Sequence, residues 1–295
     1  MPRLFKVKRK GLDLNLTLYP SFTLALFEPI EGRYVKAVGW KKGCFVKVEG
    51  DYIVSNCGEE ELKYWSGLRF LEELERIEVK RSVRWLIDIL REYYGGLGLS
   101  VDPFDPLHMF VPVFLSQNTD YHTNVLRWCR ALWRLTDDPL EAARRGPEVG
   151  SSYQLSRLPE AVVCAAAALT GGLWDVRKRL VSCKWVGPKV ADAFLLFALC
   201  ATDTAPIDKH FLKMASRLGL WEGAKPPSKA HCARYACYEC PRRHQCARWL
   251  ASNSLGRAAG WVQSVFYVHD KLYCSRRACS ECPLKAFCRD RLRDS

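Results

Sequence analysis

The sequence has no uninterrupted apolar run of about 18 residues, the length that a membrane-spanning helix requires. Its basic opening, MPRLFKVKRK, leads into LDLNLTLYP and not into the continuous apolar core of a signal peptide. We therefore expect a cytoplasmic protein with no membrane partner. Because thiols stay reduced in that compartment, the 14 cysteines are expected to be metal ligands or buried thiols and not disulfides.

Acidic residues are also in deficit. The chain has 45 Lys and Arg residues against 32 Asp and Glu residues, a formal net charge of +13. This balance suits a polyanionic partner that is bound through its phosphates. A hydrophobic share of 48% excludes a largely disordered chain, and 295 residues are enough for two domains or for one main core with appendages.

The first part of the chain has the alternating pattern of β-strands. Leu12, Leu14, Leu16 and Leu18 alternate with polar residues, which predicts a half-buried strand. YVKAVGW and CFVKVEGDYIV continue the pattern, and the Gly50-Asp51 pair between two β-rich runs predicts a hairpin turn. We predict that residues 1–58 form a small antiparallel β-domain.

From residue 59 the apolar residues recur at helical spacing. Val83, Leu86, Ile87 and Leu90 share one face of a predicted amphipathic helix, and LHMFVPVFL is apolar all round and predicted to be central. The fold class is therefore α+β and mainly α. We divide it into the β-domain, a helical domain over 59–228, and a cysteine-rich region over 229–295 with a returning helix at 255–272.

The cysteine-rich region contains an internal repeat. Two quartets share the spacing C-x4-C-x2-C-x5-C, with each CxxC followed by proline: Cys232, Cys237, Cys240 and Cys246, then Cys274, Cys279, Cys282 and Cys288. Thiolates so close together need a metal to neutralise them. One CxxC between longer gaps favours a [4Fe-4S] cluster at Cys274–Cys288 over the paired CxxC of a zinc ribbon, and a second cluster or zinc at Cys232–Cys246. The other six cysteines, which include Cys164 and Cys183, are interpreted as core residues.

Lys189 and Asp208 are the candidate catalytic residues. Lys189 follows a Gly-Pro turn and begins an apolar helix, where the helix dipole and nonpolar neighbours favour the neutral, nucleophilic amine. Taken singly, Lys189 is equally a solvated first-turn residue, and Asp208 is equally the N-cap of KHFLKMASRLGL. The segment from GGLWDVRKRLVS to VGPKVAD also predicts a helix, a short glycine turn and a second helix, whose amides at Gly187 can bind a DNA phosphate.

The order of VGPKVAD in this hairpin, PIDKH and a terminal cysteine quartet resembles the helix-hairpin-helix DNA glycosylase superfamily, which includes endonuclease III and 8-oxoguanine DNA glycosylase. The resemblance implies that Lys189 attacks C1′ of a flipped nucleotide and that Asp208 supports departure of the base. It places His210 near DNA phosphate. It also implies double-stranded DNA with damaged bases as the partner of a monomer, associated with the nucleoid if the host is a prokaryote.

Two further segments resemble the 8-oxoguanine branch of that family. In AAGWVQSVFYVHDKL the resemblance makes Gln263 the residue that hydrogen-bonds the extruded base and Tyr267 the ring that stacks on it. Without the resemblance, this helix is equally an ordinary packed one. LSQNTD resembles the loop that fills the gap left by the flipped nucleotide, which makes Gln117 or Asn118 the inserted residue.

Several positions depart from the family pattern. Trp185 stands where the hairpin has its first glycine, and the first cysteine quartet has no counterpart. The β-domain glycine that approaches 8-oxoguanine has no match near Ser21 and Phe22, and no arginine matches the one that reads the opposite cytosine.

The sequence predicts a bifunctional DNA glycosylase and AP lyase that excises an oxidised base, 8-oxoguanine, through a lysine Schiff base. The alternatives are an endonuclease III-like enzyme for oxidised pyrimidines and a noncatalytic metal-bearing DNA-binding protein.

Overall fold

A computed structural model describes residues 4–292 of the chain. Its single antiparallel sheet has the order β1-β5-β4-β3-β2. The strands are β1 (Phe5–Lys8), β2 (Phe27–Ile30), β3 (Arg33–Lys36), β4 (Phe45–Glu49) and β5 (Tyr52–Ser55). Gly50, at φ +57°, and Asp51 form the predicted turn between β4 and β5, and Val48 pairs with Ile53 in the resulting hairpin.

The predicted strand at Leu12–Leu18 is wrong, because helix α1 (Leu14–Leu18) forms there. The Asp13 carboxylate caps this helix by accepting a hydrogen bond from the Leu16 amide at 2.9 Å. Leu14 and Leu18, four residues apart, are both 3% exposed, so they lie on the same buried helix face. Alternating leucines are compatible with either structure over so short a segment, and the cap decides in favour of the helix.

The helices that follow make the fold α+β and mainly α, as predicted. Their bounds are α2 (Glu59–Ser66), α3 (Leu68–Leu74), α4 (Arg81–Tyr94), α5 (Pro106–Leu115), α6 (Leu126–Leu135), α7 (Pro139–Arg144), α8 (Gly146–Val149), α9 (Tyr153–Ala168), α10 (Leu173–Ser182), α11 (Pro188–Leu199), α12 (Lys209–Arg217), α13 (Lys229–Cys232), α14 (Ala247–Leu255) and α15 (Ala259–His269). None of the helices within residues 4–292 is both long enough and apolar enough to cross a membrane.

Helices α5 and α11 form the centre of the helical region. Every residue from Met109 to Leu115 is buried, which confirms the predicted central helix, and α5 packs against both α9 and α11. The Phe110 and Phe194 rings meet edge to face with their centroids 5.7 Å apart. The predicted face of α4, with Val83, Leu86, Ile87 and Leu90, is also buried. The division of the chain at residues 58 and 228 stays a prediction.

A buried ion pair joins the sheet to the helical region. Lys36 on β3 is 1% exposed and contacts the carboxylates of Asp102 and Asp105, with the Asp105 Oδ2 atom 2.9 Å away. The amine also lies 4.7 Å from the centroid of the Trp65 ring. No local pattern in the sequence indicates a fully buried lysine here, because its partners lie more than sixty residues further along the chain.

Cys164 and Cys183 form a disulfide, so the interpretation of both as separate core thiols is wrong. Cys164 lies on α9 and Cys183 is the C-cap of α10, and their Cα atoms are 5.9 Å apart. That separation lies within the ordinary range for a disulfide. The bond therefore ties α9 to the first residue of the hairpin turn, a proximity that the packing of two helices creates and no spacing rule reveals.

Candidate active site

A cavity of about 690 Å³ lies where the hairpin, α12, α15 and the loop after α5 meet. Its lining includes all eight residues that the sequence nominated for catalysis, base binding and DNA binding, namely Lys189, Asp208, Gln263, Tyr267, Gln117, Asn118, Gly187 and His210. These residues come from four separate segments of the chain. The volume is of the size that a flipped nucleoside needs.

Lys189 lies in the first turn of α11, after Gly187 and Pro188. Its amine donates a hydrogen bond to the Ser116 Oγ atom at 2.8 Å and lies 5.8 Å from the centroid of the Phe22 ring. Burial lowers the pKa of Lys189 below its ordinary value of 10.5, although the nearby Asp208 carboxylate opposes that effect. A lowered pKa increases the fraction of the amine that is neutral and able to attack carbon.

Asp208 is the N-cap of α12, which is the alternative that the sequence left open beside a catalytic role. Its Oδ1 atom accepts a hydrogen bond from the Phe211 amide at 2.8 Å. Its Oδ2 atom has no hydrogen-bond partner among residues 4–292, so one carboxylate oxygen fixes the side chain and the other is available in the cavity. Lys189 and Asp208 thus stand at the starts of two helices that meet at the same cavity.

Gln263 and Tyr267 face the cavity from α15, one helical turn apart. Gln263 is 8% exposed, and within the described part of the chain its side-chain amide has no hydrogen-bond partner. The Tyr267 ring packs edge to face against His210, with centroids 5.0 Å apart, and lies 6.1 Å from the ring of Tyr19. Tyr19 in turn stacks on His122 at 4.1 Å. The site therefore presents a free amide edge beside an aromatic wall.

Gln117 and Asn118, in the loop after α5, differ in exposure and in hydrogen bonding. The side-chain amide of Gln117 donates to the Phe114 carbonyl at 3.0 Å, and the backbone carbonyl of Gln117 accepts from the Gln154 side chain at 2.7 Å. Asn118 is exposed and has a left-handed backbone, with φ +48°. Its amide reaches only the Tyr153 hydroxyl, at 3.3 Å. Of the two residues, Asn118 is the one that projects from the surface.

The hairpin turn lies between α10 and α11 at residues 183–187. Gly187 has open space where a Cβ atom would stand, so its backbone is accessible to a large ligand group. Trp185 occupies the family's glycine position with a glycine-like backbone, at φ +66°. The Arg157 guanidinium from α9 stacks on the Trp185 ring at 3.8 Å. The departure seen in the sequence thus changes the side chain but keeps the left-handed turn.

His210 is held by Asp270, a residue that the sequence reasoning missed. The His210 Nδ1 atom and the Asp270 Oδ2 atom form a hydrogen bond, and the Ser275 hydroxyl donates to the same oxygen at 2.9 Å. Lys213 pairs with the other oxygen at 2.6 Å. Asp270 is 1% exposed and lies four residues before Cys274, so this network connects the cavity to the second cysteine quartet.

Other residues at the cavity also escaped the sequence reasoning. Lys271 lines it and pairs with Asp120 at 3.0 Å, which joins the segment after α15 to the loop after α5. The Thr123 amide and Lys271 together lower the pKa of Asp120 to about 2. Ser116 is the hydrogen-bond partner of Lys189. Ser116 and Asp120 lie within the LSQNTD segment that the sequence analysis singled out, so the sequence indicated their location but not their partners.

The two cysteine quartets adopt the same local backbone. The Cys240 amide donates to the Cys237 carbonyl and the Cys246 amide to the Arg243 carbonyl, and Cys282 and Cys288 repeat both bonds with Cys279 and Lys285. A short 3₁₀ helix precedes the last cysteine of each quartet. Within residues 4–292, however, no three Cys, His, Asp or Glu side chains are drawn together into a metal-ligand set.

The donor chemistry of each quartet nonetheless fits a thiolate-bound metal. In the second quartet, Cys279 and Cys288 both raise the pKa of Cys282, an effect that requires them to lie nearby. In the first, Cys246 similarly raises the pKa of Cys237. Burial is the larger cause of the increase for both Cys282 and Cys237.

The overall architecture is a helix-hairpin-helix core preceded by a small antiparallel sheet. It is the fold of 8-oxoguanine glycosylase/lyase. The chain superimposes on that enzyme from Clostridium acetobutylicum bound to double-stranded DNA containing cytosine opposite 8-oxoguanine, with a TM-score of 0.64, 16% identity, and coverage of 92% of this chain and 99% of the other. The apo form of the same enzyme gives a TM-score of 0.63, 16% identity, and coverage of 90% and 95%.

A structure of MBOgg1 in complex with a low-affinity DNA ligand gives a TM-score of 0.59 at 16% identity, with coverage of 91% of this chain and 96% of the other. No family model matches the sequence, and no curated protein matches it. At this identity the likeness shows a shared fold, and the activity has to be argued from the site.

Proposed function

We propose that the protein is a bifunctional DNA glycosylase and AP lyase that excises an oxidised base, 8-oxoguanine, from duplex DNA. The observation that carries the proposal is one cavity lined by four suitable groups. They are a buried lysine with a lowered pKa, a carboxylate with one unpaired oxygen, a side-chain amide without a partner and an aromatic ring, namely Lys189, Asp208, Gln263 and Tyr267. Each of these groups has a separate task in base excision. The fold, which solved 8-oxoguanine glycosylase/lyases share, supports the same reaction.

DNA would be held by backbone amides of the hairpin at Gly187 and by His210, whose orientation Asp270 fixes. The exposed Asn118 would fill the space that the flipped nucleotide leaves in the duplex. The net charge of +13 favours association with the phosphate backbone and makes binding salt-dependent. In the cavity, Tyr267 would stack on the base and Gln263 would hydrogen-bond its edge.

Chemistry begins at the neutral amine of Lys189. Its lone pair forms a bond to C1′ as the bond between C1′ and the base breaks, and the bonding electrons leave with the base. The free oxygen of Asp208 stabilises the positive charge that develops on the sugar. The nitrogen then loses a proton, the bond between C1′ and O4′ breaks with O4′ taking up a proton, and a Schiff base results. In the β-elimination that follows, C2′ loses a proton and the bond between C3′ and its oxygen breaks, so the strand is cleaved on the 3′ side of the site with the phosphate as the leaving group.

The site favours a purine lesion over an oxidised pyrimidine. The Gln263 amide offers both a donor and an acceptor to one base edge, and Tyr267 and Phe22, which both line the cavity, supply aromatic surface for a two-ring base. Ser21, close to the missing β-domain glycine, is buried at 1% exposed and is not among the residues that line the cavity, and its carbonyl accepts a hydrogen bond from the Tyr121 hydroxyl at 2.7 Å. We therefore assign recognition of the lesion to the α15 side of the cavity.

Borohydride trapping tests the chemistry directly. Wild-type protein incubated with a duplex that contains 8-oxoguanine opposite cytosine should give a covalent complex, because reduction fixes the Schiff base. Lys189→Gln should abolish it. Two other lysines serve as matched controls. Lys184 lies in the same hairpin turn and pairs with Glu160 of α9, and Lys271 lines the same cavity. Trapping that survives in Lys189→Gln and disappears in Lys271→Gln would reassign the nucleophile.

A lesion panel separates the rival functions. Single-turnover excision from duplexes with 8-oxoguanine or thymine glycol should be faster for 8-oxoguanine. The reverse preference would support the endonuclease III-like alternative. A protein that binds every duplex yet excises no lesion would support the noncatalytic alternative.

The second quartet belongs to the same proposal. We place a [4Fe-4S] cluster on Cys274, Cys279, Cys282 and Cys288, where it would stabilise the segment that follows Asp270. Cys282 lies 3.4 Å from the His269 ring, and Cys274 contacts Met214 of α12. Anaerobically purified protein should contain inorganic sulfide along with iron, and Cys279→Ser should reduce both. Zinc without sulfide would overturn the cluster assignment.

A further inference from the structure

Two arginines and one aspartate form a closed network in the protein interior, outside the cavity. Arg177 of α10, Asp192 of α11 and Arg248 of α14 are 1%, 0% and 3% exposed. Arg177 donates to Asp192 through Nε at 2.6 Å and through Nη2 at 3.0 Å. Arg248 donates to the same carboxylate through Nε at 3.3 Å. The network therefore spans both helices of the hairpin and the helix after the first quartet.

This network carries one excess positive charge. Two guanidiniums face a single carboxylate, and arginine keeps its charge in proteins. A buried charge without a counter-charge is strongly unfavourable, so the excess calls for an anion in contact with it. The remaining partners of Arg248 outside the first quartet are the neutral Thr204 hydroxyl, at 3.2 Å, and the face of the Trp174 ring, 4.8 Å from the guanidinium, and neither of them carries a negative charge.

Both arginines point at sulfur atoms of the first quartet. The Arg177 Nη2 atom lies 3.7 Å from Cys232 Sγ, and the Arg248 Nη1 atom lies 3.2 Å from Cys237 Sγ. A neutral thiol is a weak acceptor and leaves the excess charge uncompensated. Four thiolates around Zn²⁺ or around a [4Fe-4S]²⁺ core carry about two negative charges. Such a centre supplies the missing anion at the atoms that the guanidiniums reach.

The loop that contains this quartet is attached to the hairpin itself. Lys229 donates to the Cys183 carbonyl, the C-cap of α10, at 2.8 Å. The Tyr238 ring packs edge to face on Trp174 in the first turn of α10, with centroids 6.3 Å apart. Lys225 and Cys246 form a β-bridge that closes the loop. Cys232 and Cys237, at 8% and 6% exposed, are the buried side of the quartet.

We propose that Cys232, Cys237, Cys240 and Cys246 bind an anionic metal–thiolate centre that Arg177 and Arg248 neutralise, and that this centre fixes the two hairpin helices through Asp192. Asp192 lies one turn after Lys189 on α11. The centre therefore positions the DNA-binding turn and the nucleophile without contacting either. Zinc and [4Fe-4S] fit this charge equally, and sulfide analysis distinguishes them.

Metal counting provides the first test. Wild-type protein purified anaerobically should hold two centres per chain by native mass spectrometry and by iron, zinc and sulfide analysis. Cys237→Ser should hold one, and Cys279→Ser, which removes a ligand of the other quartet, should retain one. Cys200→Ser, outside both quartets, should hold two. A Cys237→Ser protein with the wild-type metal content overturns the proposal, as does a Cys279→Ser protein with none.

The arginines provide the second test, because the two possible states of the quartet predict opposite results. With an anionic centre, Arg248→Met should lower metal occupancy and the thermal midpoint, and Arg248→Lys should restore part of both. With neutral thiols, Arg248→Met removes the excess charge and leaves the Arg177–Asp192 pair balanced. An Arg248→Met protein that keeps its metal and is as stable as wild type, or more stable, overturns the proposal.

Hydrogen exchange tests the link to the hairpin without any assay of activity. Amides in peptides that cover residues 183–191 should exchange about tenfold faster or more in Cys237→Ser, since local opening then needs less free energy. They should stay protected in Cys279→Ser. Equal exchange in Cys237→Ser and wild type would show that the first quartet does not hold the hairpin. That outcome leaves the glycosylase proposal intact, because it bears only on the metal centre.

Discussion

Asp208 has an observed role as a helix cap and a proposed role in catalysis, and substitutions can separate the two. One oxygen caps α12 through the Phe211 amide at 2.8 Å, and the other has no partner in the described chain and faces the cavity. Asn preserves a capping oxygen of the same size but has no charge. Ala removes the cap and the charge together. The two variants should therefore differ in stability and agree in chemistry.

The sizes of these effects follow from the two roles. Loss of the cap in Asp208→Ala costs about 1 kcal/mol. Loss of a negative charge at the helix start costs about 0.5 kcal/mol in both variants. Asp208→Ala should thus be less stable than Asp208→Asn by about 1 kcal/mol, a difference of about 2 °C in melting temperature for a chain of this size. Excision should fall by about 100-fold or more in both, the loss expected when a charge-stabilising group is removed from a transition state.

Three measurements check this separation. Thermal unfolding compares the two variants, and single-turnover excision from an 8-oxoguanine duplex measures loss of the base. Borohydride trapping on a preformed abasic site measures Schiff-base formation alone, and it should stay close to wild type because no base has to leave. Excision at the wild-type rate in Asp208→Asn would refute the role of the carboxylate. Equal stability of the Asn and Ala variants would refute the capping argument.

Three other properties can be tested in parallel. The rate of trapping on abasic DNA should rise with pH as Lys189 loses its proton. Because burial lowers the pKa of Lys189, the midpoint of this rise should lie below pH 10.5. A midpoint at or above pH 10.5 would contradict the desolvation of the amine. Lys36→Met should lower the free energy of unfolding, measured in urea, by about 3–5 kcal/mol, since it leaves Asp102 buried without a cation. Adding Asp102→Asn should recover part of that loss. A Lys36→Met protein with the wild-type urea midpoint would show that the ion pair does not stabilise the fold. Trp185→Gly should be more stable than Trp185→Ala by about 1 kcal/mol. Both variants lose the stacking contact with Arg157, and only glycine adopts the left-handed backbone at φ +66° without strain. Equal thermal stability of the two variants would mean that the turn is unstrained.

The sequence predicted those features whose signals are local. The face of α4 repeats every three to four residues, the β4–β5 turn has its Gly-Asp pair, and Asp208 precedes an amphipathic helix that it caps, one of the two interpretations left open by the sequence. The eight nominated residues came from short motifs, and the structure brings them to one cavity. Their roles in catalysis stay predictions, because position alone does not establish chemistry.

Features that depend on contacts between distant segments were not predictable. Lys36 looks like any polar strand residue until Asp102 and Asp105 are packed around it. The pairing of Cys164 with Cys183 depends on how α9 lies against α10. The error at Leu12–Leu18 has a different origin. These seven residues fit both a strand pattern and a helix pattern, and the Asp13 side chain selects the helix by capping it.

The repeated quartets give the Lys189 and Asp208 pair a structural explanation. The first quartet lies against α10 and reaches α11, which carries Lys189, through Arg177 and Asp192. The second lies against α12, which Asp208 caps, through the contact between Cys274 and Met214. Each proposed catalytic residue stands at the start of a helix, where a small tilt of that helix displaces the side chain most. Because catalysis tolerates displacements of well under about 1 Å, two proposed metal centres, one behind each helix, would provide the anchoring that a single terminal metal loop could supply to only one of them.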